Sequence, residues 1–481
     1  LNLFSDKCFG LYVNGEWIQR TDKGTFYITN PSTKEILVEL PKGGTKETQA
    51  AIESAEKAFL CWSQLTAKER GSYLIKLHYL MIEYRDELAK IISMEMGKAI
   101  TEAKGEVTYA ASFLTWYAEE GRRVYGETIP PSKSNKRIFI IKQPIGVVAA
   151  ITPWNFPLSM LTRKIAPALA AGCTSIIKPA SQTSLTAIAF AKLVEKAGFP
   201  EGVINIVAGS TKEISDEIFN NPVVKKVSFT GSTEVGKDLV VRSAKQLKRL
   251  SLELGGHAPF IVFEDANVEK AVEGIIASKF RNAGQACICA NRVFVHKNIK
   301  EEFTKAFIQK VNKLKVGNSM DETVDIGPLV NEEGLKKVIE HVEDAVDKGA
   351  IILCGGQRPV ANKGFFYEPT ILDNISEDMK IMTEETFGPV VPLSTFEKDD
   401  EVIHLANRTH YGLAAYIYTN TINRADTVAE SLDFGVIGLN DAMPVTEEAP
   451  FGGLKESGYG KEGGHHGMRE YIEEKYISLE M

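Results

Sequence analysis

The sequence predicts an α/β fold with parallel sheets, and three observations support this. Helical periodicity dominates the first residues up to about 125. Short apolar runs then alternate with helical stretches after Gln143-Pro144, and a similar alternation resumes after Glu253. Strands and helices alternate in this way when crossover units build a parallel sheet, and such sheets bind ligands at the carboxyl ends of their strands. We therefore expect functional residues where the strands end.

The elements follow in order along the chain. Two helices are indicated first by apolar residues at helix spacing, namely Ile52, Ala55, Phe59, Leu74, Leu77, Leu80 and Met81. The alternating part then offers strands at Gly146–Thr152, Thr174–Lys178, Val203–Val207 and Val227–Thr230, and helices at Leu158–Ala171 and Ser184–Ala197. The residues that fall at the strand ends are Thr152, Lys178, Gly209 and Gly231.

A second α/β domain is predicted to start just after Glu253. The next apolar run is Pro259–Phe263, and a helical pattern begins near Asn267. The segment Ser132–Gln143 is polar and then alternating, which predicts a β-arm. The tail after Gly453 is a candidate to pair with that arm.

Composition limits the function classes. The 481 residues are 44% hydrophobic and 25% charged, which is typical of a globular protein with a large core. The net charge is −7 and basic residues form no long block, so a nucleic-acid partner is not expected. Neither a signal core nor a membrane span is predicted, and the six cysteines are too scattered for a disulfide scaffold. We expect a cytoplasmic protein with reduced thiols.

A cysteine in a run of small residues suggests an enzyme. Cys287 stands in Asn282-Ala283-Gly284-Gln285-Ala286-Cys287, and Glu253 precedes a separate Gly255-Gly256 turn. A poorly shielded thiol and a nearby carboxylate provide a nucleophile and a water-activating base. A buried structural thiol is the alternative interpretation of Cys287.

The turn Gly231–Lys237 resembles a nucleotide-triphosphate loop but fails as one. Asp238 stands where that loop needs a magnesium-binding Ser or Thr, and three spaced glycines of the usual dinucleotide fingerprint are absent. The turn still places a strand end before a helix whose N–H groups can face a pyrophosphate. An ordinary strand-to-helix turn remains the alternative.

Seven motifs together resemble the aldehyde dehydrogenase superfamily over nearly the whole chain, and within it the bacterial succinate-semialdehyde dehydrogenases. The motifs are Thr152-Pro153-Trp154-Asn155-Phe156-Pro157, Lys178-Pro179-Ala180-Ser181, Phe229-Thr230-Gly231-Ser232, Glu253-Leu254-Gly255-Gly256, the Cys287 segment, Glu384-Glu385-Thr386-Phe387-Gly388-Pro389 and Pro450-Phe451-Gly452-Gly453. The resemblance implies a Rossmann-like cofactor-binding domain (residues 1–130 and 145–253), an α/β catalytic domain (254–453) and a small β-arm oligomerisation element (131–144 and 454–481). It also implies a homodimer or homotetramer.

The resemblance further implies covalent catalysis. Cys287 would attack an aldehyde, and the side-chain amide of Asn155 with the backbone N–H of Cys287 would hold the oxyanion. Transfer of hydride to a nicotinamide would leave a thioester, which water activated by Glu253 would hydrolyse. Lys164 is implied as a supporting polar group. A catalytically silent relative and a thiol esterase or acyltransferase remain alternatives.

Cofactor-binding positions carry over from the same motifs. They are Thr152, Trp154, Lys178, Ser181, Gly209, Gly231, Ser232, Val235, Leu254, Glu385 and Phe387. Many members that use only NAD have glutamate where this chain has Ser181, and that charge repels a 2′-phosphate. A neutral serine beside Lys178 therefore favours NADP or dual use over NAD alone.

The substrate expectation depends on two arginines, Arg163 and Arg281, at positions that commonly hold aromatics in members acting on uncharged aldehydes. Guanidinium groups bind carboxylates in a two-pronged fork, which favours an aldehyde carrying a carboxylate, such as succinate semialdehyde. Related enzymes often bind that carboxylate with a serine where this chain has Val445, and Thr446 is the candidate substitute. Glutarate semialdehyde, an uncharged aldehyde and a betaine or amino aldehyde remain alternatives.

Two further features concern a possible disulfide and possible metal ligands. A disulfide between Cys287 and Cys289 would block catalysis reversibly, as in some relatives, although a bridge two residues apart is strained. A passive packed thiol is the alternative for Cys289. No metal site is predicted, because neither the cysteine pair nor His465-His466 has further ligands in sequence reach.

Overall fold

The computed structural model describes residues 9–359 and 363–481. Its strands are β1 (Leu11–Val13), β2 (Glu16–Ile18), β3 (Thr25–Thr29), β4 (Ile36–Pro41), β5 (Glu127–Ile129), β6 (Lys136–Pro144), β7 (Val147–Ile151), β8 (Thr174–Lys178), β9 (Ile204–Ile206), β10 (Val224–Thr230), β11 (Arg249–Glu253), β12 (Ala258–Val262), β13 (Ala290–His296), β14 (Ile351–Cys354), β15 (Thr370–Asp373), β16 (Val390–Phe396), β17 (Ala414–Tyr418), β18 (Val436–Leu439), β19 (Gly458–Tyr459) and β20 (Ile472–Glu480).

The α-helices are α1 (Thr45–Trp62), α2 (Ala67–Glu83), α3 (Arg85–Met96), α4 (Ile100–Glu120), α5 (Ser159–Ala171), α6 (Ser184–Ala197), α7 (Thr211–Asn220), α8 (Thr233–Ser243), α9 (Val268–Lys279), α10 (Lys300–Val311), α11 (Glu332–Asp347), α12 (Lys380–Thr383), α13 (Asp399–Asn407), α14 (Ile422–Ser431) and α15 (Gly464–Arg469). Within the described ranges, no helix is long and apolar enough to cross a membrane.

The first sheet has eight strands in the order β19-β11-β10-β7-β8-β9-β1-β2. Its centre, from β11 to β9, is parallel. β7 reads Val-Val-Ala-Ala-Ile and is buried throughout, because a parallel strand covered by helices on both faces meets no water. The predicted α/β fold is confirmed. Three parallel strands end at Ile151, Lys178 and Thr230, so Thr152 and Gly231 directly follow strand ends.

The second sheet has seven strands in the order β14-β15-β16-β13-β12-β17-β18. The pairs from β15 to β18 are parallel, and only β14 joins antiparallel at the edge. A core of its own lies against this sheet and includes Phe260, Val293 and Tyr416. The nucleophile segment connects α9 to β13 and so lies at the edge of this unit.

A three-stranded antiparallel sheet contains β20, β6 and β5 in that order. β20 pairs with β6 over nine residues, from Ile472 opposite Pro144 to Glu480 opposite Lys136. β5 precedes the arm predicted from residue 131, and β19, which falls in the predicted tail, joins the first sheet beside Glu253. The tail therefore contacts two different sheets. The domain limits and the oligomeric role of the arm stay predictions.

Candidate active site

Cys287 follows a tight turn at the end of α9. The backbone of Asn282 and Ala283 is left-handed, with φ of 53° and 54°. Gly256 lies against this segment so closely that a Cβ there would come within 2.1 Å of the Cys287 carbonyl oxygen. Burial raises the pKa of the Cys287 thiol to about 12, and the charges of Glu385 and Glu253 add to the shift. The resting thiol is therefore protonated and needs a base to react.

Asn155 is brought to this segment by the loop after β7. Its side chain is 6% exposed, and Nδ2 donates to the main-chain oxygen of Gln285 over 3.0 Å. Its Oδ1 accepts the backbone N–H of Phe156 over 3.1 Å. An amide nitrogen carries two hydrogens, so the second one is available to another acceptor.

Glu253 ends β11 and is 3% exposed. Its Oε2 has no hydrogen-bond partner among residues 9–359 and 363–481. Burial raises the pKa of this carboxyl well above its ordinary value, and the negative charge of Glu462 raises it further. Charges on Lys164 and Arg163 oppose the shift. A carboxyl held in this way takes up a proton more readily than an ordinary glutamate does, as a general base must.

Glu462 is a site residue that sequence reasoning missed. It forms a buried ion pair with Lys164, whose Nζ also donates to Ser228 Oγ over 3.2 Å. The backbone bridge between Phe451 and Glu462 brings the acid to this place. A lone acid between glycine-rich turns gave no signal. Only the Pro450-Phe451-Gly452-Gly453 motif marked the neighbourhood.

A cavity of about 710 Å³ opens beside Cys287. Its lining includes the predicted residues Trp154, Asn155, Gly231, Ser232, Leu254, Cys287, Glu385 and Phe387. The other predicted cofactor positions are not part of this lining, namely Thr152, Lys178, Ser181, Gly209 and Val235. Lys336, Lys337 and His341 of α11 also line it, and the motif analysis had missed them. The cavity thus lies between the carboxyl ends of the first sheet and the second unit.

The donors around this cavity fit a dinucleotide. Ser232 caps α8 and accepts the N–H of Val235 over 3.4 Å, so the N-terminus of α8 opens towards the strand ends. Ser181 Oγ donates to the Gly209 carbonyl oxygen over 3.5 Å. Lys178 is 4% exposed, and its Nζ donates to the Pro179 carbonyl oxygen over 3.3 Å. Burial lowers the pKa of Lys178 to about 8.

Glu385 faces the other end of the same cavity. Its Oε1 accepts the backbone N–H of Gly256 over 3.1 Å, and burial raises its pKa to about 7. Phe387 has φ of 53° and packs edge-on against Trp154 with ring centroids 5.4 Å apart. These residues fix the cavity wall next to Cys287.

A second cavity, of about 640 Å³, also has Cys287 in its lining. Arg163 and Arg281 both line it, together with Phe156, Val445 and Phe451. Thr446 is not part of that lining, although its neighbour Val445 is. The two predicted arginines therefore share one cavity with the nucleophile.

The two arginines differ in their contacts. Arg163 is 3% exposed, donates to Tyr109 Oη over 2.7 Å and lies 3.8 Å from Glu462. Arg281 is half-buried, and its guanidinium lies 4.8 Å from the centre of the Phe156 ring. Arg281 therefore has more freedom to meet a ligand than Arg163.

Cys289 is buried two residues beyond the nucleophile. It is 1% exposed, its Sγ donates to the Gly284 carbonyl oxygen over 3.2 Å, and Lys279 Nζ lies 3.8 Å away. Cys287 and Cys289 are both unbonded thiols, as are Cys61, Cys173 and Cys354. Cys8 lies outside the described residues. The proposed disulfide stays a prediction.

Comparison with known proteins agrees with this geometry. The chain is 49% identical to succinate-semialdehyde dehydrogenase [NADP(+)] of Escherichia coli (strain K12), over 99% of this chain and 98% of that one. It is 50% identical to glutarate-semialdehyde dehydrogenase of Pseudomonas putida, over 97% of each. The crystal structure of succinate-semialdehyde dehydrogenase from Burkholderia pseudomallei superposes with a TM-score of 0.97, at 49% identity and 98% coverage of both chains. The model of the aldehyde dehydrogenase family matches residues 17–477, and the chain belongs to that family.

Proposed function

We propose that this aldehyde dehydrogenase oxidises succinate semialdehyde to the dicarboxylic acid with NADP, and with NAD as a second cofactor. One observation carries the proposal: Cys287 lies where two cavities meet, and the cavity opposite the strand ends contains Arg163 and Arg281. The substrate would enter from the arginine side and the nicotinamide from the side of the sheet.

The first step is attack on the aldehyde by Cys287. The thiol proton passes to a base, for which Glu253 is the candidate, because its raised pKa lets it hold a proton. The Sγ–C bond forms and the carbonyl π pair moves onto oxygen. The second N–H of Asn155 Nδ2 and the backbone N–H of Cys287 donate to that oxyanion.

The later steps regenerate the thiol. A nicotinamide held beside Cys287 by Glu385 and Phe387 would supply the hydride acceptor; loss of the hydride would re-form the carbonyl and leave the substrate on Cys287 as a thioester. Glu253 first releases to solvent the proton that it took from Cys287, and it then removes a proton from water, whose oxygen bonds to the acyl carbon. The C–S bond then breaks, the acid leaves and the thiolate recovers a proton. Lys164 acts in this proposal through Glu462, its ion-pair partner.

The chain's residues suit a phosphorylated dinucleotide. Lys178 would neutralise the 2′-phosphate, Ser181 would leave room for it, and Ser232 with the N-terminus of α8 would face the pyrophosphate. Glu385 and Phe387 would hold the nicotinamide end. The Escherichia coli relative is named for NADP, which supports the same preference.

Glutarate semialdehyde is the second candidate substrate. The Pseudomonas putida relative named for it is as similar to this chain as the succinate-semialdehyde enzyme is. Val445 lines the cavity where related enzymes often have a serine, and it offers no hydroxyl to the substrate carboxylate, so a semialdehyde of another chain length could be preferred. Both substrates carry the carboxylate that the arginines would recognise.

Initial rates of absorbance increase at 340 nm test the proposal. The panel contains succinate semialdehyde, glutarate semialdehyde, betaine aldehyde and hexanal, each with NADP and with NAD. A kcat/KM at least ten-fold higher for a semialdehyde than for hexanal would support the carboxylate-binding role, since that ratio equals about 1.4 kcal/mol. Faster oxidation of hexanal would reject it.

We also propose that the chain forms a homodimer or homotetramer through its β-arm and works in the cytoplasm. β20 and β5 are the edges of the three-stranded sheet, and Ile129, Tyr476 and Leu479 on them are exposed. A second copy would cover this surface. Light scattering of the purified chain and of a Tyr476→Lys variant tests the assembly, and a monomer for the unmodified chain would reject it.

A further inference from the structure

One side chain, the carboxamide of Asn282, connects the turn before the nucleophile with the loop that carries Asn155. Asn282 Nδ2 donates to the main-chain oxygen of Asn155 over 3.0 Å and to that of Gln285 over 3.1 Å. The same Gln285 oxygen accepts the bond from Asn155 Nδ2 over 3.0 Å. These three contacts link segments that are 127 residues apart in the sequence.

We propose that Asn282 is a positioning residue for the oxyanion site, an inference that depends on the proposed function. The Gln285 oxygen uses one hydrogen of Asn155 Nδ2 and so sets the direction of the other. Asn282 fixes that oxygen relative to the backbone of Asn155 itself. It therefore aligns the second amide hydrogen with the backbone N–H of Cys287, two residues beyond Gln285.

The backbone of Asn282 is restrained by its conformation and by its hydrogen bonds. Its φ of 53° is left-handed, a region that asparagine tolerates better than most residues. Both oxygens of the Glu102 carboxylate accept the Asn282 backbone N–H, over 3.0 and 3.1 Å. The side chain is 1% exposed, so water cannot replace its bonds easily. Asn282 is thus fixed at its main chain and free to act only through its carboxamide.

Glycine and aspartate at this position separate the effects. Asn282→Gly keeps a left-handed backbone without strain and removes the carboxamide. We expect kcat for the semialdehyde to fall about ten-fold or more, with KM and the Kd for NADP within about two-fold. Asn282→Asp should be slower still, because a carboxylate oxygen would face two carbonyl oxygens. Asn374→Gly is the matched control, since Asn374 is exposed, has φ of 57° and donates to Gly349 over 2.8 Å. Its activity should be unchanged.

A double-mutant cycle with Asn155→Ala decides between positioning and plain stabilisation. If Asn282 acts through Asn155, Asn282→Gly should cost less than about two-fold when Asn155 is already alanine. If the double variant loses kcat by the product of the two separate decreases, the inference is wrong and the proposed function stays intact. An undiminished kcat for Asn155→Ala alone would instead reject the oxyanion role in the proposed function. If Asn282→Gly does not fold, Asn282→Ser replaces it in the cycle, since its single O–H can keep only one of the two bonds.

Discussion

Lys164 and Glu462 form an ion pair that is almost completely buried, with side-chain exposures of 0% and 4%. The pair lies beside Glu253, whose Oε2 has no partner in the described part of the chain. Burial contributes most to the raised pKa of Glu253, and the charges of Glu462 and Lys164 shift that pKa in opposite directions. Glu462, which is far from Glu253 in the sequence, therefore influences the ionisation of the candidate base.

Glu253→Gln should slow the attack by Cys287, which loses its base, and should stop the enzyme at the thioester once acylation has occurred. An amide cannot remove a proton from water, so steady-state kcat should fall about 10²-fold or more. Intact mass spectrometry after mixing with semialdehyde and cofactor should then show the acyl adduct on the protein. Cys287→Ala is the control and should form no adduct. Full turnover by Glu253→Gln would contradict the assignment of the base.

The activity should fall as the pH is lowered through the raised pKa of Glu253, because only the ionised carboxylate accepts a proton. Glu462→Gln removes a negative charge that raises this pKa. The pKa should therefore fall, and the acidic limb of the pH–rate profile should move to lower pH. Glu470→Gln is the control, since Glu470 pairs with Lys226 over 3.1 Å. An acidic limb that Glu462→Gln leaves in place would mean that the two carboxyls do not interact.

Arg281→Ala should raise KM for succinate semialdehyde about ten-fold, because a charged hydrogen bond to the substrate carboxylate is lost. The KM for hexanal should stay nearly the same, which makes the uncharged substrate an internal control. Steady-state kinetics on both aldehydes provide the comparison. An equal increase for both would show that Arg281 supports the Phe156 wall and does not recognise charge.

The preference for NADP over NAD should decrease as the pH rises above about 8. The lowered pKa of Lys178 means that its amine is charged below that pH and neutral above it. Ser181→Glu should weaken NADP binding about ten-fold or more and affect NAD less, since its carboxylate would repel the 2′-phosphate. Calorimetric Kd values for both cofactors at several pH values measure this. A constant ratio of the two Kd values would exclude Lys178 from phosphate recognition.

Lys98→Met should destabilise the fold by about 3 kcal/mol. Lys98 Nζ lies 2.5 Å from Glu106 Oε2, and both side chains are 1% exposed. The variant would leave the buried Glu106 charge uncompensated, although Glu106 also accepts the N–H groups of Leu158 and Ser159. Urea denaturation measures the loss. Lys104→Met breaks an exposed pair with Glu322 and should leave the midpoint nearly unchanged. Equal midpoints for the two variants would contradict the prediction.

Much of the fold could be predicted because its signals are local. The helices at 159–171 and 184–197 and the strands that end at Thr152 and Lys178 follow from apolar periodicity over a few residues. The α/β class and the family were confirmed. The tail was harder, because β19 and β20 join different sheets and neither has a periodicity that names its partner.

By itself the sequence determined the fold class, the family and which residues carry reactive groups, such as Cys287 and Glu253. Only the tertiary structure decided which groups meet: Lys164 pairs with Glu462 across 298 residues, and Thr446 stays off the cavity that Val445 lines. The physical reason is the distance along the chain over which each effect acts. Backbone propensity and hydrophobic period act between near neighbours, whereas pKa values and ligand contacts depend on charges and distances that only packing brings together.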